Sequence, residues 1–485
     1  MILSKYIYSD PNFSAKNTSS FTGFELPEKV LQFGTGVLLR ALPDYFIDKA
    51  NRQNRFNGRI VVVKSTGNGD LKDFAAQDNL YTICIRGIEN AEVVETDVLS
   101  SAISRVLAAN EDWDQVLKVA SSSHLKLIVS NTTEVGLVLL KEPIVGCVPK
   151  SYPGKLLAAL YERFNVLGND SGKLIVIPTE LIPNNGKVLQ EIIIELAEYN
   201  RLETRFMTWL EEHVSFCNSL VDRIVPGKPE PDILNKIEQD LGYTDNLMVM
   251  AEPYRLWAIE GGQAVADHLD LLGVDEGLIV KPDIEVYREL KVRLLNGTHS
   301  LACGIAILAN IETVAEAMAD DAIAVYLKKV MKQEIIPAIP YPVDVDEANN
   351  FANAVLDRFA NPYIKHQWIN ISFQYTMKLR IRVVPVIMEY FKHFSVVPEH
   401  IAFGFAAYLK FMSAEQVDDI NYKITDDHAD YIKALDQDDF VHAVLSDQSL
   451  WGVDLSVLNG FELAVKQYFN YITKNGLRAG LALIQ

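Results

Sequence analysis

Val30-Leu31-Gln32-Phe33-Gly34-Thr35-Gly36 carries a short, mostly apolar strand into a Gly-x-Gly turn. Glycines at such a turn let the backbone bend tightly and approach a pyrophosphate, whose charge the exposed N–H groups stabilise. The third glycine of the usual dinucleotide fingerprint is absent, with Leu39 in its place and Arg40 next. Arg40 is a candidate phosphate partner or, equally, an arginine on a solvated turn. An ordinary strand and turn would look the same. What gives the motif weight is its position after the first strand of an alternating pattern.

Downstream, Arg59–Lys64, Leu125–Ser130 and Leu174–Pro178 read as further buried strands, with amphipathic stretches such as Tyr45–Arg52 and Trp113–Ala120 between strands. Strand and helix in alternation predict a parallel sheet covered on both faces, with ligands outside the carboxyl ends of its strands. From Pro282 the texture changes. Asp283 is a plausible N-cap, and Ile284–Leu308 carries apolar residues at helical spacing. Helical patterns continue through Ile311–Val330, Ala348–Phe359, Val383–Phe394, Ile401–Phe411, Ala429–Leu435 and Phe461–Ile472. The expected class is α/β, with a Rossmann-like dinucleotide-binding domain over 1–281 and a mainly helical substrate and catalytic domain over 282–485.

Composition narrows the function. The 485 residues are 49% hydrophobic and 22% charged, the profile of a folded soluble protein. With 45 Lys+Arg against 64 Asp+Glu the formal charge is -19, which argues against a nucleic-acid partner but leaves room for a local cationic pocket. Cys84, Cys147, Cys217 and Cys303 are scattered without a CxxC, so neither a disulfide framework nor a structural zinc site is expected, and a cytoplasmic location fits. The first residues lack the charged start and apolar run of a signal peptide, and no stretch approaches a membrane span.

The strand ends carry polar runs. After the second strand, Lys64 points towards NADP and Asp70 towards NAD, according to which one faces the ribose. Asn131-Thr132-Thr133-Glu134 follows the third strand, and Thr179-Glu180-Leu181-Ile182-Pro183-Asn184-Asn185-Gly186 follows the fourth. Each alone is also what a capped helix or a turn would show. Two such runs at one sheet edge favour a shared site.

Lys291-Val292-Arg293-Leu294-Leu295-Asn296-Gly297-Thr298-His299 is the most informative segment. On an α-helix Lys291, His299 and Asn296 fall at about 0°, 80° and 140°, so all three can face one site. Gly297 inside a helix costs about 1 kcal/mol and suggests that something packs closely there. The set suits hydride chemistry. A desolvated lysine beside another cation can give and take a proton, an amide can donate to a developing alkoxide, and an imidazole can orient a hydroxyl. By spacing alone it equally describes an exposed lysine, a helix-bending Asn-Gly and a core histidine.

Lys-x4-Asn-x2-His following Gly-x-Gly-x3-Arg resembles the polyol-specific long-chain dehydrogenases, the mannitol dehydrogenase family. Ser130-Asn131-Thr132-Thr133-Glu134, Glu180–Gly186 and Asn361-Pro362-Tyr363-Ile364-Lys365-His366-Gln367-Trp368 resemble its hexuronate reductases, and the likeness runs from about residue 28 to the final helices. The resemblance implies metal-independent reduction of a hexuronate ketone with NADH. It casts Lys291 as general acid/base, Asn296 as oxyanion partner and His299 as substrate ligand. Gly34, Thr35, Gly36, Arg40, Asn131, Thr132 and Glu134 become cofactor-binding candidates. The mannitol enzymes place a second oxyanion amide where Leu181 stands here, and Asn185 is the candidate substitute. Lys378 and Arg382, within Met377-Lys378-Leu379-Arg380-Ile381-Arg382, become a cationic clamp for an acidic sugar, although a solvated basic face would read alike. Val221–Pro226 and Glu252–Trp257 resemble segments that border the substrate. A neighbouring hexuronate, a neutral polyol, or a non-catalytic nucleotide-binding scaffold stay open, as does the oligomeric state.

Overall fold

A computed structural model describes residues 1–9, 23–65, 71–132, 136–413, 416–417, 420–435 and 439–484. The chain divides into two compact units, residues 1–86 with 94–284 and residues 87–93 with 285–485.

The first unit is built on six parallel strands: β1 (Glu28–Phe33), β2 (Arg59–Lys64), β3 (Ile103–Ala108), β4 (Leu127–Ser130), β5 (Leu174–Pro178) and β6 (Val214–Phe216). Their order in the sheet is β3-β2-β1-β4-β5-β6, so the connections reverse direction between β1 and β4. The near-continuous apolar character of these strands follows from burial on both faces. Val30, Ile60, Val62, Leu127, Val129, Ile175 and Ile177 enter one core. Their neighbours Leu31, Phe33, Val61, Val63, Ile128, Leu174 and Val176 enter the other. The period of two along a strand produces that division. The edge strand β3 escapes a reading based on apolar runs because Arg105 interrupts it. Arg105 reaches Glu28, its Nε donating to Oε1 at 2.9 Å. There are two further three-stranded sheets: one of Ser219–Asp222, Leu256–Glu260 and Leu278–Lys281 in this unit, and one of Tyr81–Glu89, Glu92–Ser100 and Val249–Ala251, whose residues 87–89 and 92–93 fall in the other unit.

Residues 285–485, the larger part of the second unit, are mainly helical among the described residues, with one two-stranded pairing and one isolated bridge between Thr313 and Gln367. One continuous helical rod runs from Glu285 to Leu308, and its middle, Lys291–Gly297, winds as a π-helix. Thr298–Leu308 is buried along its whole length. It crosses Glu399–Ser413 with the two backbones in contact, because a Cβ on Gly304 would stand 2.9 Å from the Ala407 carbonyl oxygen. Other helices span Val345–Phe359, Tyr375–Arg382, Val384–His393 and Phe461–Asn475. Among the described residues no helix is long and apolar enough to cross a membrane.

Candidate active site

In the first unit the carboxyl ends of β2, β1, β4 and β5 are stitched in sequence. Gly34 N donates to Val63 O at 3.0 Å, Asn131 N to Phe33 O at 3.1 Å and Thr179 N to Ser130 O at 2.8 Å. The Gly34–Gly36 turn therefore stands where the strand order reverses, the place where open α/β sheets bind ligands. A cavity of about 650 Å³ opens there, lined by Gly34, Thr35, Gly36, Lys64, Asn131 and Thr132 among others. Gly34 has φ +129°, and a Cβ on it would meet Asn131 O and Leu39 Cδ1 at 3.0 Å. Leu39, in the place of the third glycine, is fully buried beneath the turn.

The two polar strand ends do meet, and they bind each other. Asn131 Nδ2 donates to the carbonyl and hydroxyl oxygens of Thr179, both at 3.0 Å. Glu180 accepts from Thr132 N at 2.8 Å, Thr132 Oγ1 at 3.0 Å and Ser130 Oγ at 3.2 Å. Burial raises the Glu180 carboxyl above its usual range, against the pull of these donors. Lys64 lines the cavity, whereas Asp70 and Glu134 lie outside the described residues. Lys150, Ser151 and Tyr152 also line it, outside the residues that sequence patterning marks as candidates. Their signal was a helix start, since Ser151 caps Tyr152–Leu167 by accepting from Gly154 N at 3.0 Å with Pro153 in the first turn.

Two expected ligand residues are corrected. Arg40 is neither solvated nor part of the cavity lining: it turns inward, donates Nη1 to the Leu247 carbonyl and stacks over Phe74 and Tyr81. Asn185 is 1% exposed and its amide is fully engaged. Nδ2 donates to the carbonyls of Pro178, Glu180 and Ser219 at 3.0 Å, and Oδ1 accepts from Gly186 N and Ser219 N at 2.9 Å. No donor remains to serve as the second oxyanion amide. Leu181, in the expected amide's place, is 63% exposed.

In the second unit the π-helical winding decides the register. Bonding from i to i+5 widens each turn relative to an α-helix, so Lys291 and Asn296 lie closer in azimuth than α-helical spacing would place them. His299 follows one short turn on and is buried. The Asn296 carbonyl accepts from Ser300 Oγ at 3.0 Å and from Arg382 Nη1 at 3.4 Å. Arg382 also donates to Ser300 Oγ at 3.1 Å. Lys378 Nζ donates to Ile371 O at 3.0 Å. Burial lowers Lys378, with Arg382 adding to the shift, and burial brings Arg382 down to about 10. His299 is held well below the imidazole range by burial and then by His366, Arg382, Arg358 and Lys378, so its ring is neutral. The structure thus gathers Lys378, Arg382 and His299 around one helix. Gly297 is a further correction: a Cβ there would meet Val292 O and Arg382 O at 3.5 and 3.6 Å, ordinary contact, so nothing demands the glycine sterically. Among the described residues no group of three or more His, Cys, Asp or Glu is placed to hold a metal ion.

Comparison with known proteins agrees with this architecture. Altronate oxidoreductase of Halalkalibacterium halodurans is 36% identical over 97% of this chain and 95% of its own. The protein of the same name from Bacillus subtilis is 35% identical over 94% and 95%. The solved structure of Pseudomonas fluorescens mannitol 2-dehydrogenase, a ternary complex with NAD and D-mannitol, superposes with a TM-score of 0.70 at 21% identity, covering 100% of this chain and 99% of that one. Residues 28–273 match the mannitol dehydrogenase Rossmann domain and residues 283–473 the mannitol dehydrogenase C-terminal domain, and the chain belongs to the mannitol dehydrogenase family.

Proposed function

We propose that this protein is an NAD-dependent oxidoreductase that reversibly reduces the keto-uronic acid D-tagaturonate to D-altronate. The observation that carries the reading is the cationic surround of His299 on the lysine helix, in a chain whose relatives named altronate oxidoreductase match it from end to end. The cations Lys378, Arg382 and Arg358 suit an anionic sugar far better than a neutral polyol.

The cofactor fits the first unit, where a glycine that tolerates no side chain and a cavity at the strand-order reversal leave the backbone open to a pyrophosphate. Gly34, Thr35, Gly36, Asn131 and Thr132 would hold it. When bound, NADH supplies the hydride. Lys291 delivers a proton to the ketone oxygen in reduction and removes it from the alcohol in oxidation. Asn296, one turn away, donates its amide N–H to the same oxygen as charge develops. Neutral His299 orients a neighbouring hydroxyl through Nε2, a buried atom without a hydrogen-bond partner in the structure. Lys378 and Arg382 compensate the carboxylate.

Following NADH absorbance with tagaturonate, fructuronate and fructose separates the alternatives. Tagaturonate is expected to show the highest kcat/KM. Preference for fructose would reassign the protein to neutral ketoses, and binding of NADH without turnover of any of the three would make it a nucleotide-binding scaffold. The same assay with NADPH reports on Lys64.

A further inference from the structure

The segment from Arg358 to Trp368 wraps the ring of His299, and the proton-transfer residues make no use of it. The imidazole lies on Phe359 with ring centroids 4.2 Å apart and planes 19° apart. His366 and Trp368 meet it edge-on, at 5.1 and 5.8 Å. His299 is 6% exposed, and its buried Nε2 has no hydrogen-bond partner. Buried polar atoms are paired as a rule, so this orphan beside Lys378, Arg382 and Arg358 offers a hydrogen-bonding position that a ligand could fill.

Arg382, Arg358 and Lys378 act on His299 with the same sign. Burial first, then His366, Arg382, Arg358 and Lys378, hold His299 down; burial, Lys378 and Arg358 do the same to His366. The two imidazoles are thereby kept neutral beside Lys378, Arg382 and Arg358, in a chain whose overall charge is -19, and an anion bound there would be met by these cations and by neutral N–H donors. The segment is also firmly anchored. Trp368 Nε1 donates to Thr313 O at 2.9 Å, and His366 O accepts from Val314 N at 2.9 Å. The His366 imidazole is therefore presented from a fixed backbone.

We propose that His366 donates a hydrogen bond to the carboxylate of the substrate bound against His299, and is thereby the residue that selects hexuronates over neutral sugars. This rests on the hexuronate reading given above. Lys378 and Arg382 supply charge to any anion, while an imidazole N–H at a fixed position supplies direction. A neutral ketose gains nothing from the charge and less than a carboxylate from the N–H.

The test compares wild type, His366→Leu and His366→Gln as full-length enzymes. Leu removes the donor and Gln keeps one. His366→Leu is expected to raise the KM for tagaturonate at least tenfold, with kcat within threefold of wild type and the KM for NADH unchanged. His366→Gln is expected to recover most of the lost affinity. KM does not depend on the fraction of folded enzyme, so partial misfolding of a variant leaves the comparison valid. An unchanged tagaturonate KM in His366→Leu overturns the proposal while leaving the hexuronate activity standing. Equal losses in Leu and Gln, or a fall confined to kcat, also overturn it. Wild-type enzyme that turns over no hexuronate removes the activity itself, and this proposal with it.

Discussion

Lys291 and Asn296 illustrate how much a local winding can change at the scale of single residues. On an α-helix they stand about 140° apart, too far to touch one small oxygen with ease. The wider π-helical winding of Lys291–Gly297 narrows that angle. Lys291→Ala is expected to lower kcat at least a thousandfold while NADH still binds, as measured by fluorescence titration. Near-normal turnover would remove Lys291 from the chemistry. Asn185 is the opposite kind of residue, since its amide joins three carbonyls and two N–H groups inside the first unit. Asn185→Ala should cost about 2–4 kcal/mol of stability, because buried partners are left unsatisfied. At a temperature where the variant is folded, turnover should remain near wild type, and a selective loss of kcat would restore Asn185 to the site. Both asparagines looked like candidate oxyanion donors in the sequence. Only hydrogen-bond partners separate them, and partners from distant segments are not visible as spacing.

At the scale of elements, the glycine turn and the lysine rod show two different uses of glycine. Gly34 combines φ +129° with neighbours at 3.0 Å, so Gly34→Ala must strain the backbone and push Asn131 and Leu39. Strain of this kind costs about 1–3 kcal/mol. Weakened NADH binding by tenfold or more is expected in a titration, and unaltered affinity would show that the turn does not carry the cofactor. Gly297 has ordinary helical angles, and a Cβ there would find only ordinary contacts. Gly297→Ala should leave the melting temperature unchanged or raise it, since the helix gains up to about 1 kcal/mol. A fall would mean that the π winding itself needs glycine. Arg59–Lys64, Trp113–Ala120 and Leu174–Pro178 have the same bounds in sequence and structure, because each is an apolar or amphipathic run closed by a sharp polar boundary. The edge strand Ile103–Ala108 was missed because only one of its faces is well buried and its middle is charged.

At the scale of the whole molecule, the two units carry buried titratable groups with opposite pH signatures. In the first unit Asp44 is fully buried, and its carboxyl is pushed up to about 8 by desolvation, against weak help from Gln32, Arg40 and Tyr81. Its folded value exceeds its unfolded value, so its favourable contribution holds at acid pH and is lost as pH rises from about 4 to 8. Asp44→Asn should therefore gain stability relative to wild type between pH 5 and pH 8; a difference that is the same at both would refute the buried acid. In the second unit His299 and His366 lie below the ordinary imidazole value of 6.5, with burial the main cause. Their contribution is present above that value and lost as pH falls below it. Hydrogen-exchange protection of Thr298–Leu308 should accordingly drop between pH 7 and pH 5. By itself the sequence determined the α/β class, the position of the glycine turn after the first strand, the helical second half and the lysine segment, because periodicity and apolar runs follow directly from one-sided or two-sided burial. Tertiary structure alone decided that Arg40 and Asn185 are internal supports, that the lysine rod winds as a π-helix, and that His366 and Arg358 crowd His299. Those facts depend on which distant groups each side chain meets, and on a local widening of the helix, neither of which leaves a periodic trace along the chain.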